Sequence, residues 1–182
     1  EHCEVEDVIL YGVSFGAAVV AKYAANNPEN ISFIGYQVPL INSANIPLLS
    51  IAKVPLYGDL LTRGLLVPGV LKRIEEYENL MSKKLLNHYI GQFHVEGTEK
   101  FFKKFFLGNA MGNRLEDHSI VGNMSIPSYF AYAEDDIEID SSLVERAIKK
   151  YHNPIVKKYS GGHFFSSGIE REVAQEFIDS IK

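Results

Sequence analysis

Residues 8–36 read VILYGVSFGAAVVAKYAANNPENISFIGY, and in this stretch two apolar runs flank an alanine-rich one. The first run, Val8–Tyr11, is short and uncharged, which is typical of a buried strand. Alanine favours helix, so Phe15–Asn26 is predicted to form a helix that stops ahead of Pro28. Ile31–Tyr36 is again apolar and is predicted to be a second strand. The stretch therefore predicts a strand–helix–strand crossover, which joins two parallel strands.

The same alternation of strand and helix patterns returns after Pro127. Asp140 or Ser141 is placed to cap the first of the helices predicted there. The predicted fold class is α/β, with a mostly parallel sheet flanked by helices. The predicted elements of this part are the strands Ser128–Ala133 and Ile155–Tyr159 and the helices Ser141–Tyr151 and Ile169–Ile181.

Between these two parts, residues 39–123 carry little strand signal and are predicted to be a helical insertion. Prolines punctuate the region and separate short amphipathic stretches, which are typical of surface helices. The domain prediction is a core built from residues 1–38 and 124–182, interrupted by the insertion. The amphipathic stretches are Leu56–Leu66, Val70–Asn79, Met81–Phe93, Thr98–Leu107 and Arg114–Val121.

Composition excludes several classes of function for these 182 residues. Hydrophobic residues make up 46% of the chain, too many for a chain that is mainly disordered. The formal net charge of −5 leaves no basic surplus for general nucleic-acid binding. Cys3 is the only cysteine, so an internal disulfide and a cysteine-rich metal site are both excluded. No run of residues has the length and apolar character expected of a membrane span.

A G-x-S-x-G pattern, Gly12–Gly16, falls where the first predicted strand passes into the helix. A tight turn at this point demands small residues on either side and would expose Ser14 at the carboxyl end of the strand. The N–H of Phe15 and the dipole of the following helix would favour a developing oxyanion there. Ser14 is therefore a candidate nucleophile. The alternative is a Gly-Ser turn that merely packs a helix on a sheet.

Two further candidate sites follow later strands of the predicted sheet. Asp135 and Asp136 come just after the strand that ends at Ala133, and either carboxylate could orient a histidine. Taken alone, they would be interpreted as an acidic turn in solvent. His163 follows two glycines after the last predicted strand, so its imidazole could turn back over the sheet edge. The order Ser, Asp, His is one of the known arrangements for nucleophilic acyl chemistry.

Three stretches resemble the α/β-hydrolase superfamily, and the resemblance extends over nearly the whole chain: LYGVSFGAAVVAKYAANNPENI, AYAEDDIEID and YSGGHFF. It implies an α/β-hydrolase fold in which residues 39–123 form the cap, or lid. The roles it implies are nucleophile for Ser14, general base and then acid for His163, oxyanion donor for the Phe15 N–H, and nucleophile-elbow glycines for Gly12 and Gly16.

The resemblance also selects one of the two adjacent carboxylates. In this family the acid commonly lies three residues after a small residue that ends the strand, and Ala133 takes that position, which selects Asp136 over Asp135. Asp140 departs mildly from the pattern, because the family often has proline there. Ser14 argues against the dehalogenase and epoxide-hydrolase branches, which usually place an aspartate at the elbow.

The function implied is that of a serine hydrolase, carboxylesterase-like or lipase-like, that cleaves a carboxylic ester or related acyl bond of a mainly apolar small molecule. No metal and no organic cofactor are expected, because the triad needs neither. Carbon–carbon hydrolase, thioesterase and acyltransferase activities remain open, since all can use this triad. A non-catalytic α/β-hydrolase-like binding or interaction protein is the alternative from another class.

The family's sheet normally has more strands than this sequence predicts, and its nucleophile follows a later one. We therefore expect the N-terminal half of the sheet to be missing, and a preceding segment or a partner chain to complete it. The strand Val8–Tyr11 would otherwise be an apolar, unpaired edge. The loop that usually supplies the second oxyanion-hole donor would be missing as well, so the isolated chain is expected to be nearly inactive. A cytoplasmic location is slightly favoured.

Other residues of the insertion have less specific interpretations. His118 is interpreted as lying on a surface helix, with contact to substrate as the alternative. Four phenylalanines recur on one helical face with Lys103 and Lys104 turned away, and packing of the cap is favoured over a substrate pocket. The apolar side chains from which the cap would shape an apolar pocket are Leu60, Leu61, Leu65, Leu66, Phe101, Phe102, Phe105 and Phe106.

Overall fold

The computed structural model describes residues 6–41, 57–76, 82–98, 100–101, 104, 114–165 and 169–182. The chain divides into two compact units. The sheet unit is formed by residues 1–42 and 113–182, and the helical unit by residues 43–112. The predicted insertion, 39–123, therefore extends further along the chain than the helical unit does.

The sheet unit contains four strands, all parallel, which lie in their order along the chain. Parallel neighbours need crossover connections, and the alternation of strand and helix patterns supplies them. The predicted fold class is confirmed for this sheet. The strands are β1, Val8–Val13; β2, Ile31–Gln37; β3, Ser128–Ala133; and β4, Ile155–Tyr159.

Helices cover both faces of the sheet. Three of them, α1 (Phe15–Asn26), α5 (Leu115–Asn123) and α6 (Ser141–Ile148), pack on the face that carries Tyr36 and Tyr132. The last helix, α7 (Ile169–Ile181), packs on the opposite face. The alternation of side chains along a strand explains this arrangement, because successive residues of β2 and β3 serve the two faces in turn.

The core on the first face contains large aromatic side chains and one histidine. Tyr36 and Phe130 of the central strands are fully buried, and each such ring contributes roughly 1.5–3 kcal/mol by leaving water. His118 lies among them with no exposed surface. Its interpretation as a residue on a surface helix, or as a substrate contact, was wrong, because the side chain of His118 packs edge-on against the ring of Tyr36 inside the core.

The apolar face of β1 is only partly covered. Ile9, Tyr11 and Val13 are 45%, 36% and 47% exposed, although the ring of Phe177 from α7 lies 4.4 Å from that of Tyr11. Among the described strands β1 is an edge strand, with β2 as its neighbour.

The helical unit is built from short helices. Thr62, which is buried, donates a hydrogen bond of 2.7 Å to the carbonyl of Gly58. Leu60, Leu65 and Phe101 expose most of their side chains, whereas Leu61 is buried. The prediction of a four-phenylalanine face lies largely outside the described residues, which include Phe101 but not Phe102, Phe105 or Phe106. The helices are α2, Tyr57–Leu61; a π-helical turn, Thr62–Leu66; α3, Val67–Glu76; and α4, Lys83–Gln92.

Within the described ranges, no helix combines the length and the apolar character that crossing a bilayer requires.

Candidate active site

Ser14 occupies the turn between β1 and α1 in a conformation that few side chains adopt, with φ 52° and ψ −116°. Such a residue costs on the order of 1–3 kcal/mol and persists only where its surroundings hold it. Backbone hydrogen bonds do so here. The Ser14 N–H donates to the carbonyl of Gln37 at 2.8 Å, and the Ser14 carbonyl accepts from the N–H groups of Ala17 and Leu40, both at 3.1 Å. The nucleophile candidate is therefore fixed to the segment that follows β2.

That following segment is itself held in an unusual conformation. Val38, directly after β2, is buried and has φ 40°, which is rare for a β-branched residue. Its N–H donates to the carbonyl of Ala131 in β3 at 2.7 Å. The turn at Val38 lies between Gln37 and Leu40, the two residues that bond to Ser14.

The two elbow glycines differ in what their surroundings demand. A Cβ added to Gly12 would lie 2.5 Å from the carbonyl oxygen of Gly16 and 2.6 Å from the Cα of Ala17, so no side chain fits there. A Cβ added to Gly16 would meet no described atom outside its own helix within 4 Å. The expectation that the elbow requires a residue without a side chain is therefore confirmed sterically for Gly12. The described atoms around Gly16 impose no such requirement.

His163 contacts both of the other candidate residues. Its Nε2 lies 2.9 Å from the Oγ of Ser14, and its Nδ1 lies 2.9 Å from Oδ2 of Asp136. An ionised carboxylate can only accept, so Nδ1 carries the proton toward Asp136 and Nε2 accepts from the Ser14 hydroxyl. The structure thus brings Ser14 into contact with His163, which lies 149 positions further along the chain, and His163 into contact with Asp136.

Both oxygens of the Asp136 carboxylate accept hydrogen bonds. Its side chain is 2% exposed, and Oδ1 accepts from the N–H groups of Glu138 at 2.8 Å and Ile139 at 3.0 Å. With Oδ2 on His163, both carboxylate oxygens have partners. These donors fix the orientation of the carboxylate.

The neighbouring Asp135 bonds to the same loop by a different route. Its two oxygens accept from the N–H groups of Gly161 at 3.0 Å and Gly162 at 3.1 Å, the two residues that precede His163. These backbone donors lower the pKa of the Asp135 carboxyl. The interpretation of Asp135 as part of a solvated turn missed these contacts. Its position directly before Asp136, in the loop that faces His163, was the one sequence feature that could have indicated them.

Phe15, the proposed oxyanion donor, is the first residue of α1. The N-terminus of a helix carries the positive end of its dipole. The backbone of Phe15 is therefore at a place where partial positive charge gathers beside Ser14.

Comparison with known proteins gave matches through structure alone. No protein-family model matches the chain. No curated protein matches its sequence either.

Several solved structures share the fold at low sequence identity. The haloalkane dehalogenase DatA from Agrobacterium tumefaciens C58 matches with a TM-score of 0.69 at 12% identity, over 97% of this chain and 68% of that one. The enol-lactonase from Burkholderia xenovorans LB400 gives 0.71 at 10% identity, over 98% and 66%. MGS-M2, an α/β-hydrolase enzyme from a deep-sea metagenome library of the Medee basin, gives 0.66 at 15% identity, over 98% and 64%.

The chain thus spans about two thirds of the length of these structures, with coverages from 64% to 68%. Its four parallel strands and its flanking helices agree with that match. The chain has the α/β-hydrolase fold.

Proposed function

We propose that this chain carries the active site of a serine hydrolase that cleaves a carboxylic ester or a related acyl bond. One observation carries the proposal, namely the hydrogen-bonded series Ser14 Oγ, His163 and Asp136, with 2.9 Å at each link. A serine hydroxyl becomes nucleophilic when an adjacent base removes its proton, and the base works best when a third group holds it.

The proposed reaction uses each residue at a defined atom. Ser14 Oγ attacks the acyl carbon while its proton passes to Nε2 of His163, and Asp136 stabilises the imidazolium that forms. The N–H of Phe15 donates to the oxyanion of the tetrahedral intermediate. As the intermediate collapses, the bond to the leaving group breaks and that group takes the proton from Nε2. Water then repeats the sequence on the acyl-enzyme and releases the acid.

A serine nucleophile favours acyl substrates over haloalkanes. DatA is named a haloalkane dehalogenase, but branches with that activity usually place an aspartate where this chain has Ser14. The enol-lactonase is named for cleaving a lactone, which is a cyclic ester, and this agrees with the chemistry proposed here. Carbon–carbon hydrolase, thioesterase and acyltransferase reactions would use the same first step.

The preference for a mainly apolar small molecule is proposed from the composition of the helical unit. Leu60, Leu65 and Phe101 expose most of their side chains there. Apolar side chains dominate the lining of most small-molecule sites.

A panel of short-chain and longer-chain esters tests the proposal. With the sheet completed by the expected preceding segment or partner chain, we expect Ser14→Ala to lower kcat by about 10⁴-fold or more, with Ser32→Ala as the matched control, because Ser32 is exposed on β2 and its hydroxyl donates to the carbonyl of Val8 at 3.4 Å. Turnover by Ser14→Ala at the wild-type rate would contradict the proposal. Binding of the esters without turnover by wild-type protein whose sheet is completed in this way would instead favour the non-catalytic alternative.

A further inference from the structure

The loop that carries His163 begins with two glycines in the left-handed region. Gly161 has φ 101° and Gly162 has φ 69°, and His163 follows directly in a short 3-10 turn, Gly162–Phe164. Glycine adopts such angles without steric cost, but it also has the most alternative conformations to lose. Two adjacent glycines therefore allow this turn without enforcing it, and another group must select the conformation that aims the imidazole at Ser14.

The Asp135 carboxylate is placed to make that selection. Oδ2 accepts from the Gly161 N–H and Oδ1 from the Gly162 N–H, so one rigid, planar group spans both glycines. Each of these bonds joins an amide to a charged acceptor and is stronger than a bond between neutral groups. These donors also lower the pKa of Asp135, which extends the charged form of this acceptor to lower pH.

We propose that Asp135 is a positioning residue that holds the Gly161–Gly162 turn and thereby sets where His163 stands relative to Ser14. Asp135 and Asp136, neighbours at the end of β3, then hold one loop at two points. Asp135 fixes its backbone, and Asp136 fixes the imidazole through Nδ1. The inference rests on the proposed function only for its effect on rate, because the geometry of the loop can be observed without any reaction.

Glu134, in the same turn, provides a matched control for Asp135. Its carboxylate is exposed, like that of Asp135, but it accepts from the Lys158 ammonium at 2.6 Å. Glu134→Gln therefore changes charge by the same amount, one residue away, and leaves the Gly161 and Gly162 bonds in place. Asp135→Asn keeps the shape of the side chain but replaces one acceptor oxygen by an N–H₂ donor, which then faces an N–H donor.

The experiment compares the wild-type chain, Asp135→Asn and Glu134→Gln by three readouts. The first is amide hydrogen exchange at Gly161 and Gly162, the second is the downfield proton resonance of His163 Nδ1–H, and the third is the rate at which a fluorophosphonate labels Ser14. We expect Asp135→Asn to speed exchange at the two glycines by about tenfold, to broaden or shift the imidazole resonance, and to slow labelling by about tenfold. Glu134→Gln should match the wild type in all three.

The readouts separate this inference from the proposed function. Exchange and the imidazole resonance test the positioning role even if the wild-type chain takes no label, which would count against the hydrolase alone. If Asp135→Asn leaves exchange at Gly161 and Gly162 and the imidazole resonance as they are in Glu134→Gln, the positioning role is overturned. A drop in melting temperature with unchanged values at these three residues would also overturn it.

Discussion

Ser14 shows at the scale of one residue how the surrounding chain supports an unfavourable backbone conformation. Its positive φ would relax in an isolated peptide, but the bonds to Gln37, Ala17 and Leu40 hold it from three sides. Gly12 completes the arrangement, because its lack of a side chain lets the backbone of α1 pass directly over the end of β1.

The two elbow glycines should respond in opposite ways to the same substitution. Gly12→Ala forces a methyl group to within 2.6 Å of backbone atoms, so we expect it to lower the free energy of unfolding by more than about 3 kcal/mol. Gly16→Ala adds a methyl group in open space inside a helix and should raise it by roughly 0.5–1 kcal/mol. Urea unfolding of both variants measures the difference. Equal effects would show that the elbow is not packed as described.

The two adjacent aspartates should differ in their effect on turnover. Asp136→Asn replaces the acceptor at His163 Nδ1 and favours the wrong tautomer of the imidazole, so we expect kcat to fall by about 10⁴-fold. Asp135→Asn leaves that acceptor in place and should have a much smaller effect. Steady-state kinetics on one ester substrate compares them. If Asp135→Asn proved the more damaging change, the assignment of the acid would be wrong.

At the scale of the element, β1 is an apolar strand that lies at the edge of the described sheet. It carries Ser14 at its end, yet Ile9 and Val13 are about half exposed and one edge of the strand has no neighbour among the described strands. Backbone groups on such an edge are a template for pairing with another strand.

We expect this chain to self-associate through β1 unless a preceding segment or a partner chain covers it. Ile9→Lys should reduce the association, because a charge on an edge strand opposes pairing. Ile137→Lys is the matched control, since Ile137 is 77% exposed in a loop away from the edge. Sedimentation velocity over a concentration series is the measurement. A wild-type chain that stays monomeric throughout would refute the prediction.

The sequence predicted the elements of the sheet unit closely, because their patterns are local. The bounds of α1, β3, β4 and α7 agree with the prediction, and short apolar runs identified β1 and β2. The cap of α6 was left open between two residues. The structure selects Asp140, whose Oδ1 accepts from the Ser142 N–H at 2.9 Å.

What the sequence could not predict depends on contacts between distant parts of the chain. The spacing of apolar residues along α5 does not reveal that His118 contacts Tyr151, 33 residues further along the chain, inside the core. The bonds that join Ser14 to Gln37 and Leu40 likewise depend on the register of β1 against β2 and on the turn at Val38, which the apolar pattern of the two strands does not specify.

At the scale of the whole molecule, a buried polar cluster joins α5, β2 and the turn after α6. The Tyr151 hydroxyl donates to the Tyr36 hydroxyl at 3.0 Å, so the His118 Nδ1–H donates to Tyr151 at 2.7 Å. His118 Nε2 is then a buried acceptor that has no partner among the described residues. Burial disfavours the charged imidazole and lowers the pKa of His118 to about 4, against a partial opposing effect of Asp117.

This burial predicts acid sensitivity with a definite sign. In the unfolded chain His118 takes up a proton near pH 6.5, and in the folded chain it does so only near pH 4. The contribution of neutral His118 to the free energy of unfolding is therefore fully present above pH 6.5 and is lost as the pH falls toward 4. The free energy of unfolding should fall by about 3 kcal/mol across this window. Urea unfolding at several pH values measures it. His118→Phe, which removes the titrating group but leaves the carboxylates, should have a shallower slope; parallel slopes would refute the prediction.

We propose that Ser14, activated by His163, is the nucleophile of this chain. Mass spectrometry of the folded chain after treatment with a fluorophosphonate tests whether Ser14 reacts and whether it needs His163 to do so. We predict a single adduct, on Ser14, that forms far more slowly in His163→Ala. An adduct on another serine, or labelling of Ser14 that is indifferent to the loss of His163, would contradict it.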